Sequence, residues 1–258
     1  MPYADLPGVQ LWYTDTGGSG IPVVFMHAAS GNADSWVDQL PAFTAAGYRC
    51  IACDRRGWGR SRSGPPGEQP GYASDDLHGL VDYLSLDRFH LAGTAAGGAP
   101  ALDYALVRPE RVRSLVLADC GAGATQEPEY VEMRRRYRPP EIDALPVELR
   151  ELSASYRATQ PEGTRRWLEI EHASRQEAST AGQRQRSQVT PALLKMLRVP
   201  ALVVVGDADL VTPPALMRLL VAQIPNCRFA TIPEAGHGAH WEQPEVWNRI
   251  VLEFMAQH

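Results

Sequence analysis

Five short apolar runs, separated by segments with helical patterning, constrain the fold of this chain most. The runs cover residues 22–26, 49–53, 89–92, 114–118 and 201–205. Continuous hydrophobicity is typical of strands that are covered on both faces. Strands that alternate with helices predict an α/β protein in which a parallel sheet lies between two layers of helices.

Further elements extend this pattern towards both ends of the chain. Residues 9–14 alternate between apolar and polar side chains, which predicts an early antiparallel strand paired with residues 2–6. Residues 228–232 predict the last strand. The predicted helices cover residues 35–46, 73–84, 96–106, 214–223 and 244–256.

The composition changes between residues 122 and 195, where strand-like runs are absent and arginines and glutamates crowd stretches predicted to be helical at residues 130–137, 146–156 and 164–177. This block follows the strand at residues 114–118, so we expect it to lie above the carboxyl edge of the sheet, where open α/β sheets bind ligands. The predicted domains are therefore a core of residues 1–121 and 196–258 and a helical cap of residues 122–195.

The bulk composition excludes several classes of partner. The 258 residues carry a net charge of −5, without the basic surface that a nucleic-acid partner requires. No apolar run approaches the ~20 residues of a membrane span, and the first residues lack the pattern of a signal peptide. We therefore predict a cytoplasmic protein without nucleic-acid or membrane partners; self-association into a homo-oligomer stays open.

Two of the four cysteines, Cys50 and Cys53, have the C-x-x-C spacing of redox and metal sites. They fall within a predicted buried strand, where residues three apart point to opposite faces of the sheet. We therefore predict that they are core residues, and we predict neither a metal site nor a cofactor.

The segment that carries chemistry is residues 89–106, an apolar strand, a tight turn and a helix of small residues. The turn sequence Gly-Thr-Ala-Ala-Gly at residues 93–97 has the spacing of the G-x-S-x-G nucleophile elbow. Glycine is needed where strand and helix pass closely. The position of the attacking serine is Ala95, which has no oxygen. With alanine at this position, the chain should have little or no activity at the nucleophilic step.

An acid and a base follow the last two strands. Asp209 lies three residues after Gly206, and His237 follows Gly236 beyond the strand at residues 228–232. Nucleophile, acid and histidine occur in the chain order of a Ser-His-Asp triad in this architecture. Histidine activates a hydroxyl by taking its proton, and the acid fixes the tautomer of that histidine.

Other residues compete for these roles. Asp207 and Asp119 are alternative acids, and His240 is an alternative base outside the Gly-His motif. We favour Asp209 over both carboxylates because the third residue after the glycine reaches the histidine. His27 is predicted to be structural, and Thr94 should point away from the elbow tip.

Taken together, these motifs resemble the α/β-hydrolase superfamily over nearly the whole chain. The matching segments are His27-Ala28-Ala29, residues 54–61 (Asp-x-Arg-Gly-x-Gly-x-Ser), the elbow, Gly206-x-x-Asp209 and Gly236-His237 with the later Glu242-x-Pro244. The chain departs from the usual pattern at Ala28, where the family has glycine, and at Ala95, where it has serine.

The resemblance implies an α/β-hydrolase fold with a mostly parallel sheet of about eight strands and a helical cap. It implies hydrolysis of a carboxylic ester or lactone through an acyl-enzyme, with hydrolases of C–C bonds as the alternative reading. The oxyanion hole would consist of the N–H groups of Ala29 and Ala96. Ala28, Trp36 and Trp241 would line the substrate pocket.

Three explanations account for alanine at position 95. The residue is a serine-to-alanine substitution made to keep a substrate intact, or the chain is a natural non-catalytic binding protein, or its chemistry needs only the His–Asp pair. We favour the substitution, because a lineage freed from catalysis would be expected to lose the acid and the base as well.

Overall fold

The computed structural model describes residues 3–64, 71–121, 128–174 and 183–258, and all bounds below refer to these ranges. The strands are β1 (Tyr3–Leu6), β2 (Val9–Asp15), β3 (Pro22–Met26), β4 (Arg49–Cys53), β5 (Arg62–Ser63), β6 (Phe89–Thr94), β7 (Val112–Ala118), β8 (Ala201–Gly206) and β9 (Arg228–Ile232). They form one sheet in the order β1-β2-β4-β3-β6-β7-β8-β9, with β5 paired to β2.

The sheet is antiparallel only at its first edge. β1, β4 and β5 each pair with β2 in antiparallel fashion, and every pair from β4–β3 to β8–β9 is parallel. The parallel core and the early hairpin were predicted. The two-residue strand β5 was not, because so short an element leaves no periodic signal.

Helices cover both faces and also form the segment between β7 and β8. They are α1 (Gln39–Ala45), α2 (Ala73–Tyr83), α3 (Gly98–Val107), α4 (Pro128–Tyr137), α5 (Pro140–Asp143), α6 (Val147–Glu151), α7 (Ala154–Thr159), α8 (Pro161–Ser174), α9 (Pro191–Leu194), α10 (Pro214–Val221), α11 (Ala239–Glu242) and α12 (Pro244–Met255). We call α4–α8 the cap segment. The division into a core and a helical cap with boundaries at residues 122 and 195 remains a prediction.

Two predicted helices are each split in the structure. In residues 35–46, a 3-10 turn (Ala33–Trp36), capped by the Asn32 side chain, precedes α1. The break before α1 leaves Pro41 in its first turn, where proline is tolerated. In residues 146–156, the side chain of Ser153 accepts a hydrogen bond from the Tyr156 N–H and starts a new helix, because serine competes for the backbone and favours caps. Parts of two predictions lie outside the described residues. They are residue 2 of the first predicted strand, and residues 122–127 and 175–182 of the predicted cap.

The sheet separates two apolar cores. Cys53 belongs to the cluster on one face and Cys50 to the cluster on the other, and both thiols are free and buried. The prediction that these cysteines point to opposite faces is therefore confirmed. Burial raises the pKa of Cys50 to about 11 and that of Cys53 to about 12, so both stay protonated and unreactive at neutral pH.

Candidate active site

The turn after β6 has the strained geometry of an elbow. β6 ends at Thr94, a 3-10 turn covers Ala95–Gly97, and α3 follows directly. Ala95 has φ of 48°, in the left-handed region that costs an alanine about 1–2 kcal/mol. Such strain persists where the surrounding structure enforces it, usually at functional sites. The half-buried methyl group of Ala95 faces the cavity described below.

Two glycines make this turn sterically feasible. A Cβ atom on Gly97 would lie 2.3 Å from the carbonyl oxygen of Met26, and one on Gly93 would lie 2.5 Å from that of Gly97. Both contacts are with backbone, which cannot swing away as a side chain can. The predicted close passage of strand and helix is confirmed at both positions.

Gly97→Ala is expected to lower the free energy of unfolding by about 1–3 kcal/mol, because overpacking must displace backbone. Urea denaturation measures the effect. Gly71→Ala is the control, since no described atom lies within 4 Å of the added methyl group. Equal stability of the two variants would contradict the tight elbow.

The acid–histidine pair is formed between the loops after β8 and β9. The Nδ1 atom of His237 lies 2.8 Å from Oδ2 of Asp209, and both side chains are nearly or fully buried. Asp209 also accepts hydrogen bonds from the N–H groups of Val211 and Thr212 at 2.7 and 2.9 Å and from the Thr212 hydroxyl at 2.7 Å. These bonds fix the carboxylate, and the carboxylate fixes the imidazole.

The two groups shift each other's pKa in opposite directions. Burial alone would raise the pKa of Asp209, but the charge and hydrogen bond of His237, together with the Thr212 bonds, hold it below its usual value. Burial alone would lower the pKa of His237, but Asp209 outweighs burial and raises it to about 9, with smaller contributions from Glu151 and Asp119. The pair therefore favours the carboxylate and the imidazolium.

The rival acids occupy different environments. Asp207 is exposed and accepts the N–H of Glu234 at 2.7 Å, so it anchors a turn. Asp119 is fully buried with φ of 49°, and its Oδ1 atom accepts the Gly206 N–H at 3.0 Å. Its Oδ2 atom has no partner within the described part of the chain, and burial together with the charge of Asp209 raises its pKa well above the usual value. The raised pKa of Asp119 distinguishes this carboxyl group from that of Asp209, whose pKa is lowered.

His27 and His240 lie in environments that do not favour acid–base catalysis. His27 is fully buried; its Nδ1 atom lies 2.6 Å from the carbonyl oxygen of Ala28, and its Nε2 atom accepts the Arg55 N–H at 2.9 Å. Those contacts agree with the structural role predicted for it. His240 packs on Trp36 with ring centroids 4.7 Å apart, and burial lowers its pKa to about 3.

The loop after β3 carries the predicted oxyanion donor Ala29. The indole N–H of Trp58 donates to the carbonyl oxygen of Ala29 at 2.8 Å, and the N–H of Gly31 donates to that of Ala28 at 3.3 Å. Ala29 and Ala96 are both exposed and line the same cavity as Ala95 and His237. Two backbone donors beside one reactive position are the arrangement that stabilises an oxyanion.

This cavity has a volume of about 310 Å³ and lies between the sheet edge and the cap segment. Besides the residues above, it is lined by Ser30, Arg138, Arg150 and Glu151. The last three belong to the cap segment or directly follow α4. Sequence reasoning missed them because charged residues on short helices carry no signal that distinguishes a cavity wall from a solvated face.

The predicted pocket residues have different outcomes. Ala28 lines the cavity. Trp241 is buried and lines a smaller cavity of about 20 Å³ that also reaches His237. Trp36, predicted as a pocket residue, is instead fully buried in the core against Phe25 and Trp247, and it lines neither cavity. That prediction is wrong because the indole is enclosed by the rings of Phe25, Trp247 and His240 and has no exposed surface.

Within the described ranges, no group of three or more His, Cys, Asp or Glu side chains is arranged to hold a metal ion. None of the helices in those ranges has the length and apolar character required to cross a membrane.

Comparison with known proteins identifies the family. A model of the alpha/beta hydrolase family matches residues 23–250. The chain belongs to this family. It is 31% identical to a 2-hydroxy-6-oxononadienedioate/2-hydroxy-6-oxononatrienedioate hydrolase of Paraburkholderia phymatum, over 96% of this chain and 92% of the relative.

Solved structures of two hydrolytic enzymes are similar to the chain over nearly its whole length. A thermophilic esterase from Thermogutta terrifontis matches with a TM-score of 0.77 and 27% identity, over 99% of this chain and 97% of the other. An N-acyl homoserine lactone degrading enzyme matches with a TM-score of 0.79 and 27% identity, over 98% and 100% of the two chains. The predicted α/β-hydrolase fold is therefore confirmed.

Proposed function

We propose that this cavity is a hydrolytic active site that cleaves a bond next to a carbonyl carbon of a small molecule, and that Ala95 leaves it without its attacking oxygen. The observation that carries the proposal is the buried His237–Asp209 pair beside a turn whose tip keeps a positive φ. In this role His237 is the base, Asp209 its orienting acid, and the N–H groups of Ala29 and Ala96 the oxyanion donors.

With serine at position 95, the reaction would follow acyl transfer. The hydroxyl oxygen attacks the carbonyl carbon while His237 takes its proton, and the developing oxyanion is held by the two N–H groups. The tetrahedral adduct then collapses, the bond to the leaving group breaks, and His237 returns the proton to the leaving atom. Water hydrolyses the acyl group by the same route. Asp209 stays ionised throughout.

The names of the relatives favour the C–C bond reading over the ester or lactone reading. A hydroxy-oxo-nonadienedioate is a ketone with two carboxylates and no ester bond, so its hydrolysis breaks a C–C bond beside the ketone. Transfer of the enol proton to the carbon beside the ketone first gives the keto tautomer, in which the electron pair released from that bond is delocalised through the remaining C=C bond onto the new carbonyl oxygen. We therefore propose a keto acid of this type as the substrate.

Two arginines of the cavity wall are suited to binding an anionic substrate. Arg138 and Arg150 both line it; Arg138 pairs with Asp143, while Arg150 donates to Glu151 at 3.1 Å. A guanidinium has five N–H donors, so both retain capacity for a substrate carboxylate. The two arginines can thus bind the carboxylate of a substrate whose ketone faces Ala95.

Arg138→Gln is expected to weaken binding of a keto dicarboxylate by about 10- to 100-fold, the value of a charge-assisted hydrogen bond of 1.5–3 kcal/mol. Calorimetry with the Ala95 chain measures Kd directly, because the ligand is not consumed. Arg135→Gln is the matched control, since Arg135 is exposed on α4. Equal Kd values for the two variants would contradict the carboxylate-binding role.

An ester or lactone substrate is the second candidate, supported by the similarity to the esterase and to the lactone degrading enzyme. Rates of the Ala95→Ser form on a keto dienoic acid, an aryl ester and a lactone decide between them. A kcat/KM highest for the keto acid supports C–C hydrolysis, and one highest for the ester or lactone supports the second candidate. No turnover of any of the three would contradict hydrolysis itself.

A further inference from the structure

One residue of the cap segment contacts both loops that carry the proposed catalytic groups. Glu151, the last residue of α6, accepts the hydroxyl hydrogen of Ser30 through Oε2. Its backbone carbonyl oxygen accepts the N–H of Gly238 at 3.2 Å. Ser30 follows the proposed oxyanion donor Ala29, and Gly238 follows His237.

The residues after Glu151 strengthen the same contact. Oε1 of Glu242 accepts the N–H of Gly236 at 3.0 Å, and Oε2 of Glu242 accepts the N–H of Ser153 at 3.1 Å. A Cβ atom on Gly236 would lie 2.7 Å from the backbone nitrogen of Ser153 and 2.8 Å from the carbonyl oxygen of Glu151. Only a glycine next to His237 lets the cap segment approach this closely.

The carboxylate of Glu151 faces the reactive centre as well as the loops. Its side chain is 13% exposed and lines both cavities that reach His237. Arg150 is its charge partner, with Nη2 at 3.1 Å from Oε1. Because both carboxylate oxygens are held, the charge has a fixed position relative to the imidazole.

We infer that Glu151 is a positioning residue through which the cap segment completes the site: it holds the oxyanion loop through Ser30 and places a second negative charge beside the imidazolium of His237. This inference rests on the proposed function for its catalytic consequence. The imidazolium forms when His237 takes the proton of the nucleophile, so a fixed carboxylate nearby stabilises that step. Displacing the cap segment would remove the charge and release the loop together.

The ionisable groups near His237 determine how this can be measured. Asp209 contacts the ring directly, Glu151 and Asp119 add negative charge in that order, and the neutral His240 is on the neighbouring α11. Arg150 and Arg138 also line the cavity, and their positive charges act on the imidazole in the opposite direction to the carboxylates. Of these groups, Glu151 is the one contributed by the cap segment that raises the pKa of His237.

The test is an NMR titration of the His237 ring in the full-length Ala95 chain, which requires no turnover. Glu151→Gln keeps a hydrogen-bond acceptor for Ser30 but removes the charge, and it is expected to lower the pKa of His237 by about one pH unit. Glu151→Asp should retain most of the raised pKa, and Ser30→Ala should leave it within roughly 0.2 of the parent. Glu162→Gln is the control, since that exposed glutamate pairs with Arg165 on α8.

The same substitutions in the Ala95→Ser form test the catalytic consequence. With Glu151→Gln, the rising limb of kcat/KM against pH should move to lower pH by the amount that NMR records. An unchanged pKa of His237 in Glu151→Gln would overturn the inference whether or not the Ala95→Ser form is active. A lowered pKa together with an inactive Ala95→Ser form would instead leave the placement of Glu151 standing and contradict the proposed function.

Discussion

Ala95→Ser is expected to raise the rate of hydrolysis by about 10⁶-fold, the factor that loss of the nucleophile costs a serine hydrolase. The physical reason is that every other group of the proposed mechanism is in place. The pair of His237 and Asp209 is formed at 2.8 Å, and the turn at position 95 keeps φ of 48°. Steady-state kinetics on a keto dienoic acid and an aryl ester measure the gain.

Ala95→Gly is the control for this experiment, because it changes the turn without adding an oxygen. It should relieve the strain of a positive φ and remain as inactive as the parent chain. Equal rates for the parent and for Ala95→Ser would contradict the elbow assignment and favour a mechanism that needs only the His–Asp pair. Sequencing codon 95 of the source gene distinguishes a substitution from a natural alanine.

In the Ala95→Ser form, His237→Ala is expected to remove almost all of the restored activity, and Asp209→Asn is expected to cost about 10⁴-fold in kcat. The asparagine would keep the shape of the acid but stabilise the wrong tautomer of the histidine. Measurements of kcat for the variants at fixed pH give both numbers.

Two further variants serve as controls for the acid and the base. Asp119→Asn should change kcat little, because this residue makes no hydrogen bond to the imidazole among the bonds that the structure describes. His240→Phe keeps the stacking on Trp36 and should also be nearly silent. A harmless Asp209→Asn together with a lethal Asp119→Asn would show that the acid is Asp119.

The activity of the Ala95→Ser form should rise with pH. His237 must be neutral to accept a proton, and its pKa in the free protein is raised to about 9, chiefly by Asp209. Below that pH the imidazolium predominates, so kcat/KM should increase about tenfold per pH unit and level off near pH 9. A flat profile between pH 6 and pH 9 would contradict the role of His237 as the base.

The sequence was sufficient to predict the fold and the placement of the pair because both depend on strand ends. Asp209 and His237 follow β8 and β9, whose carboxyl ends meet at one edge of a parallel sheet, and Ala95 follows β6 at the same edge. A periodic signal that locates a strand therefore also locates the residue at its end.

The remaining features depend on contacts that no local pattern records. Trp36 packs in the core against Phe25 and Trp247, which are distant in the sequence. Glu151 reaches Ser30 across 121 positions of sequence, and α7 begins after a serine cap at Ser153, two residues beyond it. Long-range polar contacts of this kind have no signature in one sequence.

The central claim is that the Ala95 chain retains a complete carbonyl-binding site and lacks only the attacking atom. A crystal structure of the chain soaked with a keto dienoic acid or a slowly hydrolysed ester tests it most directly. We predict an intact ligand whose carbonyl oxygen lies about 2.7–3.1 Å from the N–H groups of Ala29 and Ala96. Its carbonyl carbon should lie over the methyl group of Ala95, with His237 on the side of the leaving group. A ligand bound elsewhere, with no carbonyl facing these two N–H groups, would contradict the hydrolytic site and favour a binding protein on a hydrolase fold.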